Sequence, residues 1–125
     1  MNTNVPTFSQ KAALTAIKME KKHIKKYNLQ LKRNNDFIKK YLKNKSKLLT
    51  LVPSEGGLFT LMNIKKTGYK SDEFCNELLK KYNVAAIPGF YFGKNWDDHV
   101  RISLIENNKR FKQGVEKILK FEKNI

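Results

Sequence analysis

The stretch Leu48-Leu49-Thr50-Leu51-Val52-Pro53-Ser54-Glu55-Gly56-Gly57-Leu58-Phe59-Thr60-Leu61-Met62-Asn63-Ile64 decides the fold. Before it the apolar residues recur with a helical period; from Leu48 onward they come in short runs. Leu48 to Val52 is one run, stopped by Pro53, and Leu58 to Ile64 is the next. Short apolar runs bounded by proline and glycine read as strands, with Gly56-Gly57 supplying a turn or bulge between them.

Working outward toward the N-terminus, Thr7 or Ser9 can cap a helix after the Pro6 turn, with Ala12, Ala13, Ala16 and Ile17 on one face. The pattern continues through Ile24, Tyr27, Leu31, Phe37, Ile38, Tyr41 and Leu42. It predicts one long helix spanning much of Lys18 to Lys43, or two consecutive ones, ending near Asn44 to Ser46. Toward the C-terminus, Ser71 is a candidate N-cap, and Asp72 and Glu73 suit the positive end of a helix dipole. That helix is expected to bury Phe74, Leu78, Leu79 and Tyr82. Val84 to Ile87 reads as a short strand ended by Pro88-Gly89, and His99 to Leu104 alternates as another. Phe111, Val115, Ile118 and Leu119 mark a closing helix. The order helices, β, β, α, β, β, α gives an α/β (α+β) domain, a small sheet layered with helices.

Four short strands cannot cover so much leading helix, and a helix with an apolar stripe needs a partner surface. The chain therefore divides into a helical segment, 1–46, that packs on a larger unit expected before Met1, and a small α/β domain, 47–125.

Composition narrows the class. The 125 residues suffice for one domain, and 40% apolar content excludes wholesale disorder. No run approaches the roughly 18–20 apolar residues that cross a bilayer, and Met1 to Gln10 lacks the pattern of a secretory signal. Cys75 is the single cysteine, so neither an internal disulfide nor a cysteine-based zinc site can form. A reduced, cytoplasmic setting is the expectation. The formal charge of +15 has two readings. One is a nucleic-acid or anionic-membrane surface. The other is a solvated lysine-rich surface reflecting a coding bias toward Lys, Asn and Ile. Of the 26 basic residues only Arg33, Arg101 and Arg110 are arginines, and the lysines scatter along the chain. Specific contacts to bases and phosphates favour the planar guanidinium, so neither specific nucleic acid nor membrane is the expected partner.

Four segments carry a family likeness. Pro53-Ser54-Glu55-Gly56-Gly57-Leu58-Phe59 resembles a P-x-G-G-x-F/Y lead into a core strand. Val84-Ala85-Ala86-Ile87-Pro88-Gly89-Phe90-Tyr91-Phe92-Gly93 is similar to V-x-x-x-P-G-x-x-F-G. His99-Val100-Arg101-Ile102-Ser103-Leu104 looks like x-V/L-R-I/L-S/C-x. Asn4 to Leu14 resembles the segment that opens the helices after a cofactor lysine. In this order they resemble the C-terminal small domain of the pyridoxal-phosphate-dependent class I/II aminotransferases, the aspartate aminotransferase-like enzymes of fold type I. The residues at Asn95 to Asp98, Trp96 above all, depart from the glycine-rich pattern usual there, which leaves the shape of that loop open.

The resemblance makes Arg101 the residue that binds the substrate α-carboxylate. The chemistry suits it: a guanidinium grips a carboxylate through two parallel hydrogen bonds, which a lysine cannot do. The competing reading has Arg101 as a surface arginine pairing with Asp97 or Asp98. Gly56, Gly57, Pro88, Gly89 and Gly93 are expected to set loop geometry, Cys75 to be buried or half-buried, His23 to be solvated, and His99 to share the strand face of Arg101 without acting as a base.

The resemblance also says what lies elsewhere. The Schiff-base lysine, the acid paired with the pyridine nitrogen and the phosphate cup belong to a large domain N-terminal to Met1. This chain is then expected to carry no catalytic, cofactor or metal residue and to be inactive by itself. Pyridoxal phosphate belongs to the complete enzyme, whose expected form is a homodimer acting on a small amino acid. The chain is either a fragment or the partner of a second polypeptide. The alternative of another class is a small lysine-rich module binding nucleic acid or other anions.

Overall fold

Thr60 and Met62 are buried while Phe59, Leu61 and Asn63 are not, so this segment alternates as a half-covered strand must. The same holds for Val100 and Ile102 against His99, Arg101 and Ser103. In the computed structural model, which describes residues 4–19 and 22–125, these two segments are the central strands of the sheet. In chain order the elements are α1 (Thr7–Lys18), α2 (Lys22–Lys45), β1 (Thr50–Leu51), β2 (Phe59–Asn63), α3 (Ser71–Tyr82), β3 (Ile87–Pro88), β4 (His99–Ser103) and α4 (Asn108–Glu122), with short 3₁₀ turns at Lys65–Thr67, Gly89–Phe92 and Lys94–Trp96. The strand order is β1-β2-β4-β3 and every pairing is antiparallel. The fold class is thus α+β.

One face of the sheet is the core. Met62 and Val100, partners across β2 and β4, meet Ile38 and Leu42 of α2, Phe74 and Leu78 of α3, and Phe111, Val115 and Ile118 of α4 in one apolar cluster. Asn107 caps α4, its side-chain oxygen accepting the Arg110 N–H at 3.0 Å. The opposite face, carrying Phe59, Leu61, Asn63, His99 and Arg101, has no helix over it among the described residues.

Several expectations shift. α1 takes no cap from Thr7 or Ser9; Pro6 occupies the N-cap position and its carbonyl accepts the Gln10 N–H. Ser71 is the first helical residue of α3 rather than its cap, because its hydroxyl is used elsewhere; Glu73 instead accepts the Lys70 N–H at 3.2 Å. The buried stripe of α3 runs through Phe74, Cys75 and Leu78, leaving Leu79 49% exposed. Of Val84 to Ile87 only Ile87 joins the ladder, with Pro88, which has no N–H to extend it. The leading helical stretch takes the second of its two expected forms, two consecutive helices, with α2 ending at Lys45 within the expected bounds. Its first turns do not reach the core: Ile24 and Tyr27 are exposed, whereas Ile38 and Leu42 are fully buried. α1 buries no residue at all. The side chain of His23, read as solvated, lies outside the described residues.

Candidate functional site

Arg101 stands at the middle of β4, opposite Leu61 of β2 and Ile87 of β3, on the face that no helix covers. It is half-buried. Its guanidinium lies 4.1 Å from the centre of the Phe59 ring and 4.9 Å from that of Phe92. Stacked against these rings, the group keeps its N–H donors free to act in the guanidinium plane. Together with Trp96, Pro53 and Ser54 these residues line a cleft of about 440 Å³.

The competing reading of Arg101 does not match this geometry. Asp97 Oδ1 accepts from the Ser71 hydroxyl at 2.8 Å and from the Ser71 N–H at 3.2 Å. Asp98 pairs with His99. Among the described residues Arg101 makes no ion pair. A half-buried guanidinium held on a rigid strand between aromatic rings suits a carboxylate brought from outside.

The loops around the cleft are held by backbone requirements. A Cβ on Gly89 would stand 2.1 Å from the Trp96 carbonyl oxygen and 2.5 Å from that of His99, so only glycine lets these segments cross. Gly93, at φ +128°, closes the turn that presents Phe92, in a region that side chains rarely adopt. The Ser71 hydroxyl also accepts the Phe90 N–H at 3.2 Å, tying the start of α3 to this turn.

The remaining sequence candidates separate from the site. Cys75 is buried in the core, where desolvation, then the nearby Asp72 charge, pushes its thiol up to about 12. A neutral buried thiol is no nucleophile. No group of acidic, histidine and cysteine side chains among the described residues is arranged to hold a metal ion. Phe59 and Phe92 sit inside the quoted motifs, yet their role as walls of the arginine site appears only in the fold. The available signal was register, since Phe59 pairs with Ser103 and so lies diagonal to Arg101.

A model of the family described as aminotransferase class I and II matches residues 1–118. The chain belongs to that family. It is 30% identical over 119 residues to the aspartate aminotransferase of Pyrococcus horikoshii, covering 94% of this chain and 30% of that protein. To the arginine–pyruvate transaminase of Pseudomonas aeruginosa it is 26% identical, covering 90% of this chain and 28% of the other. A crystal structure of an aromatic aminotransferase from Pyrococcus horikoshii superimposes with a TM-score of 0.84 at 29% identity, over 94% of this chain and 32% of that one. The chain thus spans about a third of the length of the aminotransferases it matches. The family implies pyridoxal phosphate for the full-length enzymes. The cleft at Arg101 does not fit that cofactor: it has no amine to form a Schiff base and no acid to face a pyridine nitrogen.

Proposed function

We propose that this aminotransferase chain is the carboxylate-binding part of an amino-acid transaminase, with Arg101 gripping the substrate α-carboxylate and residues outside the chain supplying the cofactor site. The observation that carries the reading is the placement of Arg101: mid-strand, half-buried, flanked by Phe59 and Phe92, and without an ion pair among the described residues. Every amino acid presents an α-carboxylate, so a fixed bidentate donor serves any side chain. The exposed helices α1 and early α2 fit the surface of a large domain, and the chain is not catalytic by itself.

The test joins the chain to its natural large domain and replaces Arg101 by lysine. Trading a bidentate pair for a point contact costs about 1.5–3 kcal/mol. That is roughly a ten- to hundredfold loss in kcat/KM, or somewhat more, and it falls equally on chemically different amino acids. Thermal stability changes little, because the side chain holds no ion pair to lose. Unaltered kcat/KM for two unlike amino acids would remove Arg101 from the site.

A further inference from the structure

Trp96 departs from the family pattern, lines the Arg101 cleft, and is held there by a neighbour that the mechanism does not use. Its indole meets the His99 imidazole edge-on, with ring centroids 5.0 Å apart and planes at 73°. The imidazole is itself fixed at both nitrogens. The Lys65 N–H donates to Asn63 Oδ1 at 3.0 Å, which turns the Asn63 amide nitrogen toward His99, 3.1 Å from Nε2. An NH₂ group can only donate, so Nε2 is the acceptor. The ring proton therefore sits on Nδ1 and is donated to the Asp98 carboxylate. Asn63 and His99 are partners in register on β2 and β4, on the same sheet face as Leu61 and Arg101. The imidazole side chain is only 13% exposed.

We propose that His99 is a positioning residue: locked in one tautomer and one orientation by Asn63 and Asp98, it holds the Trp96 indole as a wall of the carboxylate cleft. This rests on the reading of Arg101 as the carboxylate clamp. The physical reason is dielectric. A guanidinium–carboxylate pair strengthens as water is excluded from beside it. Phe59 and Phe92 flank the guanidinium, and Trp96 adds a third aromatic wall to the same cleft. His99 touches neither substrate nor reacting atoms in this arrangement; it acts through Trp96.

The chain contains one tryptophan, so its emission reports this wall alone. In the 125-residue chain, Asn63→Leu removes the donor to Nε2 and His99→Phe keeps a ring but loses both hydrogen bonds. Each is expected to make Trp96 more accessible to acrylamide quenching. In the enzyme joined to its large domain, each raises KM for all amino acids roughly three- to tenfold, the size of one lost hydrogen bond, and leaves kcat unchanged. Trp96→Ala removes the wall itself while leaving the Asn63 and Asp98 hydrogen bonds of His99 in place, and produces the same KM rise. If quenching and KM stay at wild-type values while only the melting temperature falls, His99 is merely structural and the proposal is overturned. An unchanged KM in Trp96→Ala overturns it too. Arg101→Lys separates this failure from that of the underlying reading: if Arg101→Lys is impaired but the His99 and Asn63 variants are not, only the positioning role falls. If Arg101→Lys is itself unimpaired, or the joined wild-type enzyme is inactive, the clamp reading falls and the positioning role falls with it.

Discussion

Glu122, at the end of α4, is buried, and one of its carboxyl oxygens accepts three hydrogen bonds: from the Ser46 hydroxyl at 2.9 Å and from the Lys47 and Leu48 N–H groups at 2.7 Å each. It thereby closes the end of α2, whose chain turns into β1 at this point. Glu122→Ala strands these donors and is expected to cost about 2–4 kcal/mol in urea unfolding, whereas Glu122→Gln, which keeps an acceptor, costs less. The second Glu122 oxygen is buried without a partner among the described residues, and Thr60 shares that state. Its hydroxyl is buried with no partner among the described residues, so the near-isosteric Thr60→Val is expected to raise stability by up to about 1 kcal/mol. Neither residue was legible beforehand. A glutamate in a lysine-rich helix reads as solvent-facing, and its partners lie more than seventy positions upstream. Arg101 was singled out only because the residues around it resemble a known pattern; no periodicity marks one arginine. The aromatic walls were invisible for a related reason, since a cleft depends on cross-strand register and not on neighbours in sequence.

Among the elements, legibility followed coverage. The C-terminal half of α2, β2, β4 and α4 were read nearly as they stand because each buries one face, which imprints a clean period of 3.6 or 2. β3 is two residues long and is held mostly by the crossing at Gly89, so no pattern of its own fixes its start. α2 hides a polar core contact as well: Asn34 is fully buried and its amide donates to the carbonyls of Leu104 at 2.9 Å and Glu106 at 2.7 Å. α1 shows the reverse, a helix with an apolar stripe that nothing among the described residues buries. Phe8, Leu14 and Ile17 are 76%, 53% and 81% exposed. A helix in that state contributes little to the chain's own stability. Removing residues up to Met19 is expected to change the unfolding free energy by less than about 0.5 kcal/mol, the range for surface changes. Leu42→Ala, in the core half of α2, should cost about 2–5 kcal/mol. Urea titration of the two variants gives the comparison; a loss of several kcal/mol on truncation would mean that α1 packs on this domain after all.

At the scale of the whole molecule, charge and cofactor chemistry meet. Pyridoxal phosphate is an aldehyde with an anionic phosphate, and this chain offers it 26 basic residues, nearly all lysines, with a net charge of +15. Of the lysines and arginines among the described residues only Lys81 and Arg110 are engaged in ion pairs with acidic side chains, so the cofactor is expected to be drawn to many surface lysines. A stable Schiff base needs more than an amine. It needs a buried lysine, an acid facing the pyridine nitrogen and a phosphate cup, held together. The cleft at Arg101 contains no amine and no acid. Exposed aldimines hydrolyse freely, and the electrostatic attraction is screened over about 8 Å at physiological salt. Mixing the chain with pyridoxal phosphate in 0.15 M salt, as an order-of-magnitude match to that condition, is therefore expected to give adducts spread over many lysines that disappear on dialysis. Absorbance after dialysis, followed by borohydride reduction and peptide mapping, reads the outcome. A stoichiometric adduct at a single lysine that survives dialysis would place a cofactor site on this chain and overturn the assignment of that chemistry to residues outside it.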